Sequence, residues 1–186
     1  MTWQEAIPKI RQGAQTPAAC EASMDHDAFA LFYERSSRPL WAYLARVSGD
    51  RSLADDLMQE SYVRFLGAKI PDGDVAARKY LFRIASNLLK DYWRRPRASS
   101  LDDMAEEFFA AADVSCQSDS AALLGPSLNR MSPRERQLLW LAHAEEYTHK
   151  EIAEVMGLAS ASVRIMLFRA RHKIAKALRE RGIDAV

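Results

Sequence analysis

Residues 77–95, ARKYLFRIASNLLKDYWRR, hold six Lys or Arg and one Asp, a local net charge of +5. At helical spacing, Lys79, Phe82, Arg83, Ser86, Lys90 and Trp93 fall on one side, opposite a spine of Ala77, Leu81, Ile84, Leu88 and Tyr92. Cations hold phosphates, and an aromatic face stacks on an unpaired base for about 1–3 kcal/mol. Such a surface suits single-stranded nucleic acid. The same pattern also fits Phe82 and Trp93 packed beneath another helix with the cations in water.

A second cluster lies in residues 148–171, THKEIAEVMGLASASVRIMLFRAR. Ile152, Ala153, Met156 and Leu158 supply an inner face, and Gly157 supplies the left-handed backbone that ends a first helix. Ser160 is expected to cap a second helix, in which Val163, Leu167, Ala170 and Ile174 form a buried stripe. Ser160, Ala161, Arg164, Ile165, Phe168, Arg169, Arg171 and His172 then lie off that stripe. Small Ala153 lets the two helices cross closely. A cationic outer helix of this kind fits the major groove of duplex DNA.

The third surface is acidic. Ala54, Leu57, Met58, Ser61, Tyr62 and Phe65 share the inner face of a helix, leaving Asp56, Gln59, Glu60 and Val63 outside. Such a patch repels DNA. It suits a basic protein partner, or is a solvated helix face.

Helices must position all three surfaces, because no alternating strand pattern or repeat competes with the helical period. Expected helices run over 25–36, 38–47, 52–66 and 74–95, with breaks at Pro39, Gly49-Asp50 and Pro71-Asp72-Gly73. Pro96 ends the fourth. Residues 96–126 read as a linker with only a short helical stretch at 104–112. A short helix near Leu128 follows, then one opened by Ser132 as cap, Pro133 at the first turn and Glu135 three residues after the cap. The fold expected is all-α: two small helical domains joined by a flexible acidic linker, the C-terminal one a helix-turn-helix.

Charge is segregated. Residues 1–95 carry 14 basic and 12 acidic side chains, residues 96–126 carry 1 and 6, and residues 127–186 carry 11 and 7, within an overall net charge of +1. A hydrophobic content of 48% excludes a wholly disordered chain. Cys20 and Cys116 lack the spacing of a zinc site or disulfide framework, so a reduced, cytoplasmic chain fits. Ala18-Ala19-Cys20 lacks the apolar run of a lipoprotein leader, and no stretch reaches the roughly 18 apolar residues of a membrane span. His26, His143, His149 and His172 form no short ligand motif. No metal, cofactor, nucleotide loop or catalytic triad is expected, and hence no enzyme.

With DDLMQESYVRFL, YLFRIASNLLKDYWRR and SPRERQLLWLAHAEEYTHKEIAEVMGL in this order, the chain resembles a bacterial extracytoplasmic-function sigma factor over residues 25–181. The resemblance implies an extension at 1–24, a region 2 domain at 25–95, the linker, and a region 4 domain at 127–186. It assigns Asp56, Gln59 and Glu60, with Val63 beside them, to the beta-prime clamp of core RNA polymerase. Contacts to the minus-ten element fall to Arg83, Asn87 and Lys90, with Lys79, Phe82, Ser86, Trp93 and Arg94 around them. Contacts to the minus-thirty-five duplex fall to the helix holding Arg164. The linker is expected to thread through polymerase toward the active site and RNA exit channel, and the beta subunit and an anti-sigma factor are further expected partners.

The sequence departs from the family where Ile165 and Met166 replace a small polar residue and an arginine. An apolar group can meet a thymine methyl but cannot give arginine's bidentate contact to guanine. Two other readings stand beside the sigma factor: a sigma-like module that sequesters an anti-sigma factor without reading DNA, and a lone helix-turn-helix regulator acting without polymerase. The latter leaves the first domain unexplained.

Overall fold

The computed structural model describes residues 24–94 and 125–183, and every regular element among them is a helix. The first half holds α1 (His26–Ser48), α2 (Arg51–Leu66) and α3 (Asp74–Arg94). A helical turn at 125–129 leads into α4 (Pro133–His143), α5 (His149–Met156) and α6 (Ser160–Arg179). Residues 1–23, both cysteines, the 104–112 stretch and all but the end of the expected linker lie outside the described residues.

Local chemistry fixes the helix starts. The Asp25 carboxylate accepts from the Ala28 N–H at 2.8 Å, and Asp50 accepts from Leu53 N–H at 3.1 Å. Ser132 with Glu135 and Thr148 with Glu151 form full capping boxes, so two N–H groups at each start are satisfied reciprocally. The expected Ser160 cap is corrected: Ala159 occupies the cap position without a side-chain bond, and Ser160 is the first helical residue.

The expected break before Pro39 is also corrected, because α1 continues through it for 23 residues. Proline removes one backbone bond and disfavours the helix by about 3 kcal/mol. Phe32, Ser36, Leu40, Tyr43, Leu44 and Val47 nevertheless form one buried stripe across it. Burying a large apolar side chain contributes about 1.5–3 kcal/mol, so a stripe of several outweighs one proline.

α1, α2 and α3 pack on one another, with Phe32 stacked on Phe65 at 5.0 Å between ring centroids. In the second half, α4 and α5 both pack on α6 through Leu138, Leu141, Ile152, Val163, Leu167 and Ala170. Gly157 ends α5 at φ +63°, a conformation that a Cβ would strain. The two halves also meet: α4 lies against α1 and α5 against α3, and a single apolar cluster runs through both.

Candidate nucleic-acid interface

α3 carries the first candidate surface, and the structure divides its residues between two environments. Arg83 and Asn87 are exposed, and the Arg83 guanidinium stands 4.9 Å from the Tyr80 ring centroid. Arg94 is exposed and bridges to Asp91 at 3.0 Å, while Trp93 is half-buried against the core. Lys79 and Lys90 are half-buried and turn toward the second half of the chain.

Phe82 and Ser86 do not lie on the outer side, which corrects the sequence expectation. Both are fully buried, Phe82 at 0% exposure. The Phe82 ring sits 5.2 Å from Tyr43 and 6.2 Å, edge-on, from Tyr147 of the α4–α5 turn. Ser86 donates to the Phe82 carbonyl at 2.7 Å, so its oxygen is left to accept from the Tyr43 hydroxyl at 2.8 Å. Tyr43 in turn accepts from Gln137 of α4 at 2.6 Å. Burial holds the Tyr43 and Tyr147 hydroxyls well above the usual phenol range, with the Glu145 carboxylate adding to the effect on both.

Several residues at this junction carry no signal along the sequence. Arg78 reaches Glu145 at 2.7 and 3.0 Å and stands 5.7 Å from the Phe82 centroid, and the Glu145 side chain is only 3% exposed. Buried Arg136 donates to the Val47 carbonyl at 2.9 Å, and burial plus the Arg46 cation lower its pKa. Arg136 and Gln137 are successive polar residues, and only the packed structure shows that both lie on the buried face of α4.

On α6 the outward row is Ala161, Arg164, Ile165, Phe168 and His172, opposite buried Val163, Leu167 and Ala170. Ile165 is 55% and Phe168 71% exposed, a large apolar presentation for a surface helix. Ser160, Arg169 and Arg171 are exposed too, and Arg171 donates to His143 at 3.2 Å. Met166 is half-buried against the core, so of the two departures from the family pattern only Ile165 faces outward. On α2, Asp56, Gln59 and Val63 are exposed, and Glu60 pairs with Arg64 at 2.7 Å.

Residues 32–112 match the family model for Sigma-70 region 2, and residues 126–174 match that for Sigma-70, region 4. The sigma factor SigM of Bacillus subtilis is 26% identical over 156 residues, spanning 82% of this chain and 95% of that protein. SigL of Mycobacterium tuberculosis is 26% identical over 172 residues, 89% of this chain and 95% of its own. The chain belongs to the extracytoplasmic-function sigma factors. This sigma factor also shares its fold with RpoE of Bartonella quintana, solved with the anti-sigma factor NepR. The TM-score is 0.65 at 17% identity, covering 81% of this chain and 96% of that one. CnrH, solved with the cytosolic domain of CnrY, gives a TM-score of 0.57 at 24% identity, covering 84% and 90%. No helix among the described residues of this sigma factor is long and apolar enough to cross a membrane.

Proposed function

We propose that this chain is a dissociable initiation subunit that binds core RNA polymerase in the cytoplasm, selects promoters and captures the opened non-template strand, while polymerase performs all bond chemistry. The observation that carries this reading is the presence, in family order, of a region 2 match with a cationic helix and a region 4 match with an outward helix bearing Arg164. In it, α2 docks on the clamp through Asp56, Gln59, Glu60 and Val63. α3 takes the minus-ten strand with Arg83, Asn87, Lys90 and Lys79, flanked by Trp93 and Arg94. α6 enters the minus-thirty-five groove with Ser160, Ala161, Arg164, Ile165, Phe168, Arg169, Arg171 and His172. Regulation by an anti-sigma factor is part of the proposal, since RpoE, which shares this fold, is solved with the anti-sigma factor NepR. Adding the chain to core polymerase and mapping the transcript starts tests it; starts sharing two upstream elements are expected, and none would overturn it.

Asn87 sits exposed between cations, where an amide can pair with a base edge once the base has left the stack. Asn87→Ala is expected to slow promoter opening by roughly tenfold, a bidentate amide contact to a base being worth about 1–3 kcal/mol, while leaving closed-complex formation intact. A heteroduplex promoter, already melted, should recover much of the loss. Equal defects on both templates would mean that Asn87 only supports docking or folding.

The α6 side chains divide their work. Arg164→Ala and Arg169→Ala should weaken promoter binding across sequences, each reducing the slope of log affinity against log salt by about 1. Ile165→Ala should instead reorder the preferred sequences with little change in salt dependence, because an exposed aliphatic group senses the thymine methyl. A promoter library ranked identically by wild type and Ile165→Ala removes the thymine contact. If both arginine variants also bind normally at every salt concentration, the exposed Ile165 and Phe168 favour the module that sequesters an anti-sigma factor.

A further inference from the structure

We propose that in the free chain the helix-turn-helix half is a lid on α3, holding Lys79 with two carboxylates and Lys90 with a main-chain carbonyl at the C-terminal end of α5, in place of DNA. The proposal rests on reading α3 as the single-strand contact. Lys79 and Lys90 lie on the same helix and both point at α5. Lys79 Nζ sits 3.1 Å from Glu154 and 3.9 Å from Glu151. Lys90 Nζ donates to the Met156 carbonyl, the last residue of α5, where the helix presents unsatisfied carbonyls and the negative end of its dipole. α5 therefore offers α3 two carboxylates along one turn and a negative helix terminus at the other end, which is the kind of charge a phosphate backbone would bring.

Gly157 lies beside the second contact: its left-handed backbone ends α5, and a Cβ there would stand 3.4 Å from Lys90 Nζ, an ordinary van der Waals contact. The lid is fastened beside these contacts by Arg78 on Glu145, Arg136 on the Val47 carbonyl and Gln137 on Tyr43, with Tyr147 covering the edge of Phe82. Most of these links are polar and can be replaced by water or by nucleic acid, while the buried Phe82 ring against Tyr147 adds an apolar contact that opening must expose. The closure leaves Arg83 and Asn87 outside while withholding Lys79 and Lys90.

Competitive acylation of lysines in the intact free chain, read by mass spectrometry, tests this with acetic anhydride as the probe. In the closed chain Lys79 and Lys90 should react about tenfold more slowly than exposed Lys150 and Lys176, the factor set by an open population near one in ten. Burial lowers the Lys90 pKa, which favours the reactive free amine, so slow reaction there reports shielding rather than protonation. Arg78→Glu sets two carboxylates against each other at the fastening, and should raise both rates to that of Lys150 and expand the chain in X-ray scattering. The exchanged pair Arg78→Glu with Glu145→Arg should restore protection and compactness. If Arg78→Glu loses helicity by circular dichroism, the milder Glu145→Gln carries the same test. Wild-type Lys79 and Lys90 reacting as fast as Lys150, or staying protected in an intact opening variant, would overturn the lid. Protected lysines in a chain that fails to initiate with core polymerase would instead count against the functional reading and leave the lid standing.

Discussion

Truncating Phe82 to alanine is expected to destabilise the folded chain by about 3–5 kcal/mol, the range for removing a fully buried aromatic side chain. The ring has no exposed surface and touches Tyr43 and Tyr147, so the cavity would open between α1, α3 and the α4–α5 turn, beneath the Arg78 guanidinium. Urea unfolding of the full chain checks it. Because the ring joins both halves, the transition should shift to lower urea, and the second half should also separate more readily from the first. A ring that stacked on a flipped base would behave oppositely: stability would be unchanged and single-strand affinity alone would fall, by about 1–3 kcal/mol. The two outcomes separate a core residue from a DNA contact without reference to transcription.

Phe82 also shows where sequence reasoning stopped. A helix buried on one face announces itself by its period, as Val163, Leu167 and Ala170 do in α6, and a cap announces itself by chemistry, as Ser132 and Glu135 do. α3 is buried over a broad arc. Leu81 and Leu88 lie at one side of it, and Phe82, Ser86 and Leu89 at the other, where the arc borders Arg83. Nothing local distinguishes an aromatic among cations that meets a base from one that meets a tyrosine 65 positions later. The closure between the halves was hidden for the same reason, since Arg78 and Glu145 are ordinary solvated charges until the fold brings them together. Pro39 misled in the other direction: its local penalty was legible, whereas the buried stripe spanning it is a property of the packed helix. The acidic face of α2 was legible because α2 packs on one side only, leaving Asp56, Gln59 and Val63 outside, with Val63 66% exposed.

That face carries the largest functional effect we expect. Asp56→Arg with Glu60→Arg should abolish transcription by weakening core-polymerase binding by about 3 kcal/mol, roughly a hundredfold, the scale for reversing close charge pairs across an interface. The fold should survive, because Leu57, Ser61, Tyr62 and Phe65 stay inside and the buried Tyr62 hydroxyl, its pKa pushed up to about 12, keeps its 2.7 Å bond to Ser36. Glu60→Arg does place a like charge four residues before Arg64, where the wild type has an ion pair, but an exposed pair at this spacing is worth only a few tenths, about 0.3–0.5 kcal/mol. Each substitution adds two positive charges, taking the formal net charge from +1 to +5. A more cationic chain is drawn to DNA more strongly, so weaker attraction to the promoter cannot account for lost transcription. The decisive measurement is therefore affinity for core polymerase in the absence of DNA, alongside helicity. Native helicity with unchanged affinity would make this a solvated surface, and the clamp would have to be met by another part of the first half.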